Sequence, residues 1–149
     1  MSSPLDTRAV HPDFEHLLGF KEASLIDLFR DVRQFVLTLY PDSVELLYHT
    51  HALTAVFSTS ERLSDAFCMI PIYSKHLNLG FNKGTLIDDP EKLLQGTGKL
   101  IRHIPITKAA DYRNKATEAL IRTAIQFAIN DMEKPAKLSG VTISKIATK

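Results

Sequence analysis

Between Ser24 and Tyr40 apolar residues recur at helical spacing, with Leu25, Phe29, Val32, Val36 and Leu39 on one face. Ser24 and Asp27 resemble a capping box, and Pro41 stops the helix just after Tyr40. The opposite face carries Asp27, Arg30, Asp31 and Gln34. The pattern then shortens to the two-residue period of strands. In Ser43–His51, Val44, Leu46 and Tyr48 point one way, while Glu45, His49 and His51 share the other parity. Leu53–Phe57 predicts a second strand and Ser58–Ser64 the turn after it. Ala66–Tyr73 is apolar at almost every position, as a central strand would be. His76–Phe81 alternates, with Leu77, Leu79 and Phe81 inward and His76, Asn78 and Gly80 outward.

Asp89 followed by Pro90 predicts a short capped helix, pinned by Leu93 and Leu94 and ended by Gly96. Leu100–Ile106 predicts the last strand. Arg102 and His103 lie on its opposite faces, and the cost of burying a guanidinium puts His103 inward. Thr107 then caps a long helix to about Asn130, with Tyr112, Ala116, Leu120, Ala124 and Phe127 on one face. After Pro135 the chain is basic and poor in large apolar groups. Val141–Ile146 either adds an edge strand or stays disordered. Residues 1–12 are expected to be loose, 13–130 to form one domain, and 131–149 a tail. A helix, a run of strands and a second helix predict an α+β layer, in which both helices cover one face of an antiparallel sheet of about five strands. The other face is left for solvent or a ligand.

Composition narrows the function. The 149 residues are 44% hydrophobic and 23% charged, and 18 basic against 17 acidic residues leave a net charge of +1. No global field draws nucleic acid or an anionic membrane. Tyr73, Lys75 and Lys83 fall short of an interleaved aromatic and basic strip. No apolar run reaches membrane-spanning length, and the N-terminus lacks the pattern of a signal peptide, so a cytoplasmic location is expected. Cys68 lies in an apolar run, where a thiol is inert. No G-x-S-x-G occurs, and the serines of Ser58–Ser64 have no neighbouring histidine and acid, so the expected role is not enzymatic.

Two constellations carry candidate chemistry. Gly96-Thr97-Gly98-Lys99 resembles part of a phosphate loop, but Leu93 and Leu100 stand where the first glycine and the Mg²⁺-binding hydroxyl belong. The order helix–loop–strand is also the reverse of a nucleotide-hydrolysing loop. Two readings remain: glycine amides beside Lys99 and Arg102 that cradle an oxyanion, or a tight structural turn. The second constellation is His49-Thr50-His51. On a strand these imidazoles share a face about 6.6 Å apart, so they either suit one metal ion, with His76 as the candidate third ligand, or are two partly exposed histidines on a polar sheet face. Glu45 shares that parity but sits roughly 13 Å from His49, too far for the same site.

Lys75-His76, Leu79-Gly80-Phe81, Asp89-Pro90, Leu93-Leu94, Gly96-Thr97-Gly98-Lys99 and Arg102-His103-Ile104 together resemble the signature of the YdhG-like domain family of unknown function. That resemblance covers about Leu46 to Phe127 and implies a frataxin-like fold. The first hairpin departs from the family's W-G-x-P-x-Y-like motif, having Tyr48-His49-Thr50-His51-Ala52-Leu53 instead. The fold name brings an iron-chaperone function as the alternative, with iron or another transition metal as cofactor; otherwise no cofactor is expected. Frataxins hold iron on an acidic first helix, whereas here Asp27 and Asp31 are interleaved with Arg30 and Arg33. The leading expectation is a binding protein, monomer or homodimer, for a small anionic ligand or a protein partner, with Lys75, His76, Gly96, Thr97, Gly98, Lys99 and Arg102 at the site.

Overall fold

A computed structural model describes residues 8–147. The chain runs α1 (Pro12–Leu18), α2 (Ala23–Leu39), β1 (Val44–His49), β2 (Leu53–Ser58), β3 (Ala66–Ile72), β4 (Leu77–Phe81), β5 (Arg102–Ile106), α3 (Lys115–Asp131) and β6 (Thr142–Ser144). The strands form one six-stranded sheet in the order β5-β4-β3-β2-β1-β6. Neighbours from β1 to β5 are antiparallel, while β6 lies parallel to β1. The protein is therefore α+β as expected, but its sheet is mixed and six-stranded rather than antiparallel with about five strands. The difference is β6, which lies within Val141–Ile146 and realises the edge-strand alternative for the tail.

One core holds the helices against the sheet. Phe14 and Leu18 of α1, Phe29, Val32 and Val36 of α2, and Leu120, Ile121 and Ala124 of α3 pack with Leu47, Phe57, Ile70, Leu79 and Ile104 of the strands. Phe14 stacks on Phe29 with ring centroids 4.9 Å apart. The opposite sheet face has its own small cluster of Val44, Leu46, Val56 and Ala66, on which Tyr48, Met69 and Ile143 pack.

Several local expectations are corrected. Helix α2 starts one residue before Ser24, at a Glu22 cap that makes no side-chain bond, so the Ser24–Asp27 box does not form. Helix α1 was not foreseen; the His11 ring caps it by accepting from the Asp13 amide at 3.0 Å. Asp89 accepts from the Leu93 and Leu94 amides at 3.0 and 2.9 Å, yet no helix follows, because Lys92 takes a φ of 54° and ends the turn. Thr107 does not cap α3. The Asp111 carboxylate holds the Thr107 amide and hydroxyl, and Asn114 caps α3 by accepting from Thr117 at 2.8 Å. On β5, Ile104 and Ile106 enter the core, so Arg102 shares their parity and His103 faces the opposite side of the sheet. Burial cost does not exclude Arg102 there because it is the first residue of β5, where its guanidinium reaches past the sheet to a loop carbonyl.

A buried ion pair joins the chain's distant parts. Arg33 of α2 meets Glu45 of β1 through two hydrogen bonds of 2.8 and 2.9 Å, with side chains only 5% and 1% exposed. Arg33 also donates to the Arg8 and Ala9 carbonyls, and Glu45 accepts from the Thr142 hydroxyl at 2.8 Å. Of the residues expected to be loose, Arg8 and Ala9 are thus tied to the core, while residues 1–7 lie outside the described residues. A second junction fastens α2 to the start of α3. Asp31 receives the Tyr112 hydroxyl and both arms of Arg113, at 2.8 and 2.9 Å for the guanidinium. The Arg113 hydrogen bonds, helped by that of Tyr112, hold the Asp31 carboxyl below its ordinary range against the opposing effect of burial. Burial first, then Asp31, pushes the Tyr112 phenol up.

Two outcomes follow for stability. Glu45→Ala strands a buried guanidinium and should cost about 3–5 kcal/mol in urea unfolding, whereas Arg33→Met with Glu45→Leu should recover most of the loss. Equal losses in the single and double variants would contradict this. The lowered Asp31 value contributes stability that is fully present above the ordinary aspartate value of 3.8 and is lost as pH falls through the lower folded value. Because Asp31 is 43% exposed, Asp31→Asn should cost only about 0.5–1 kcal/mol at pH 7, a gap that closes in acid. A gap that is constant with pH would show that charge plays no part.

Candidate functional site

The glycine-rich loop between β4 and β5 is shaped by what holds its carbonyls. Gly96 has a φ of +118°, a conformation that side chains disfavour. Just before it, Gln95 and His103 exchange backbone hydrogen bonds of 2.8 and 3.0 Å, anchoring the loop to β5. Further on, three successive carbonyls are drawn inward. Gly98 accepts from the Arg102 guanidinium at 3.1 Å, Lys99 from the Thr85 hydroxyl at 2.8 Å, and Leu100 from the Thr85 amide at 3.1 Å. Gly84 lets Arg102 come this close, since a Cβ there would lie 2.7 Å from the Arg102 Cβ.

In a planar trans peptide the N–H points opposite to the carbonyl of the same unit, and no peptide bond here is cis. The Lys99 amide therefore points away from Arg102, and the Leu100 and Ile101 amides point away from Thr85. They have no acceptor among the described residues, nor do those of Gly96, Thr97 and Gly98. Gly96 through Ile101 are all exposed. Among the described residues the Lys99 ammonium makes no ion pair and Arg102 has no carboxylate partner. Outward amides and unpaired positive charge together favour an oxyanion.

A groove of about 710 Å³ adjoins this loop. Leu100 and Ile101 form one side, and the helical turn Leu63–Asp65 with Ala66 forms another. Asn82 and Lys83, beyond β4, and the chain from Asp131 to Lys134 complete it. Its charges are largely paired: Arg62 holds Asp65 at 2.9 Å, and Lys83 holds Asp131 at 2.7 Å.

The predicted site residues do not all meet. Gly96, Thr97, Gly98, Lys99 and Arg102 share the loop, but Lys75 and His76 lie at the other end of β4. Leu77 pairs with Ile106 and Phe81 with Arg102, so the two groups are separated by about 14 Å of strand. Lys75 forms an exposed ion pair with Glu22 at 3.2 Å, and the His76 ring stacks on Tyr73. For the metal reading, His49 ends β1 while His51 has left the strand for the turn, so the expected shared face is absent. Strands β2 and β3 separate β1 from the β4 end that carries His76. Among the described residues no group of three or more His, Cys, Asp or Glu side chains is placed to hold a metal ion. Cys68 is fully buried, which pushes its thiol well up and away from nucleophilic use. Sequence reasoning missed Thr85, Leu100 and Ile101, because no motif shows that one threonine will turn two carbonyls inward.

The fold defines the class, an α+β domain whose helices pack on one face of a six-stranded mixed sheet. No family model, curated protein or solved structure matches the chain. No helix among the described residues is long and apolar enough to cross a membrane.

The loop's shape is itself testable. Gly96→Ala should cost about 1–3 kcal/mol, because alanine resists the positive φ. Thr85→Val should cost about 0.5–1.5 kcal/mol through the lost hydroxyl bond to Lys99. Thermal unfolding unchanged in both variants would mean the loop does not depend on these contacts.

Proposed function

We propose that this protein is a non-enzymatic binding domain that captures a small anionic ligand on the Gly96–Ile101 loop. The carrying observation is the set of outward amides at Lys99, Leu100 and Ile101, fixed by the inward carbonyls of Gly98, Lys99 and Leu100. The Lys99 ammonium adds positive charge beside them. The YdhG-like, frataxin-like reading that accompanies this rests on the sequence resemblance of the Lys75–Ile104 block. Iron holding is the weaker reading, since four carboxylates near the first helices are engaged elsewhere and Asp27 is left without two further ligands among the described residues. Glu15 pairs with Arg30, Glu22 with Lys75 and Asp31 with Arg113, and Asp13 accepts from the Ser144 hydroxyl.

Titration of isotope-labelled protein with inorganic phosphate tests the reading by amide NMR. The Lys99, Leu100 and Ile101 amides should shift with a Kd of about 1 mM, near −4 kcal/mol, and the response should weaken with added salt. Lys99→Ala should weaken binding about fivefold, the value of one exposed charge pair. Shifts scattered over the surface, or none in this loop, would overturn the proposal.

A further inference from the structure

The groove beside the loop says what kind of anion fits, on the reading that the loop holds an anion. Leu63, Leu100 and Ile101 stand around it at 51%, 42% and 46% exposure. Single exposed apolar residues are ordinary, but three lining one groove mark a surface that gains from being covered. The groove's volume is within the range of small-molecule sites.

Its charges decide where a ligand's head and body belong. Arg62 is shared between Asp65 and Glu61, each at 2.9 Å, and Lys83 is taken by Asp131. Glu133 and Lys134, of opposite sign, add no net charge to the wall. An anionic head gains little there and much at the loop, where Lys99 has no ion pair among the described residues and three amides point outward. The two regions are continuous, because Leu100 and Ile101 supply both outward amides and groove-lining side chains.

We infer that the ligand is an amphiphilic anion: an oxyanion head on the Lys99–Ile101 amides carrying an alkyl or acyl chain laid in the groove. Head and chain are then read by adjacent atoms of the same residues. Phosphate and carboxylate heads share the chemistry the amides recognise, and paired probes separate them.

The test compares inorganic phosphate, ethyl phosphate, hexyl phosphate, hexanoate and hexanol by amide NMR on the full chain. A buried methylene tightens binding about fourfold at most, so in an open groove hexyl phosphate should bind at least about tenfold tighter than ethyl phosphate. New shifts should appear at Leu63, Asn82 and Lys134. Leu63→Ser, across the groove from the loop, should cut the gain from the longer chain at least about threefold while inorganic phosphate still shifts the loop. Hexanoate matching hexyl phosphate would assign a general oxyanion head, and weaker hexanoate binding a phosphate head; either supports the amphiphile. Equal binding of ethyl and hexyl phosphate, with the loop still responding, overturns this inference and leaves the anion site standing. Hexanol binding as tightly as hexyl phosphate also overturns it, because head and chain would then be unconnected. A loop silent to every phosphate overturns the anion site as well.

Discussion

The buried pair of Arg33 and Glu45 is the constraint on which the rest of the architecture depends. Removing both charges from water costs several kcal/mol per ion, recovered only if every donor and acceptor finds a partner. Neither residue can satisfy the other completely. Arg33 has hydrogens left over, which the Arg8 and Ala9 carbonyls accept, and Glu45 has room for the Thr142 hydroxyl. The segment before α1 and the strand after α3 are therefore held by the same requirement, although Arg8 and Thr142 lie near opposite ends of the described chain. This explains how a parallel edge strand of only three half-buried residues stays in the sheet.

Fixing β6 at the β1 edge dictates the path before it. The chain leaves α3 at Asp131 and must reach Thr142 across the end of the sheet. Arg62 holds the Lys134 carbonyl at 2.7 Å, Glu61 accepts from the Lys137 and Leu138 amides, and the Gly140 amide reaches the Asp42 carbonyl at 2.9 Å. Backbone amides, its own first and then that of Lys137, hold the Glu61 carboxyl below its ordinary range. The same path places Glu133 and Lys134 opposite the Leu63 turn, building one wall of the groove beside the glycine-rich loop. Core electrostatics and the surface groove are thus linked through one stretch of backbone.

The sequence reveals elements whose side chains repeat and conceals those made by single contacts. Alternation in β1 and β4 and the unbroken apolar run of β3 located those strands to within a few residues, and the Leu25–Leu39 spacing located α2, because burial demands those patterns. Helix α1 escaped because its seven residues span barely two turns and its cap is a histidine rather than a serine or aspartate. Asp89-Pro90 has the chemistry of a helix start, and Asp89 does cap two amides, but Lys92 diverts the chain before a second turn forms. Arg33 stands in sequence among the charges Asp27, Arg30 and Asp31, which hides its separate role. Its position four residues after Phe29 and three before Val36 puts it on the apolar face, and Glu45 shares its strand parity with Leu47 of the same core. At the candidate site the glycines and Lys99 were legible as chemistry. The outward direction of the amides was not, since it comes from Thr85 and Arg102 folding back on the loop.

The proposed anion binding rests on three outward amides, those of Lys99, Leu100 and Ile101. A crystal structure of the protein soaked in tungstate, located by its anomalous scattering, tests it most directly. Tungstate should lie within hydrogen-bond distance of the Lys99, Leu100 and Ile101 amide nitrogens, with the Gly98, Lys99 and Leu100 carbonyls still turned toward Arg102 and Thr85. Tungstate bound only elsewhere, or those carbonyls facing solvent, would contradict it.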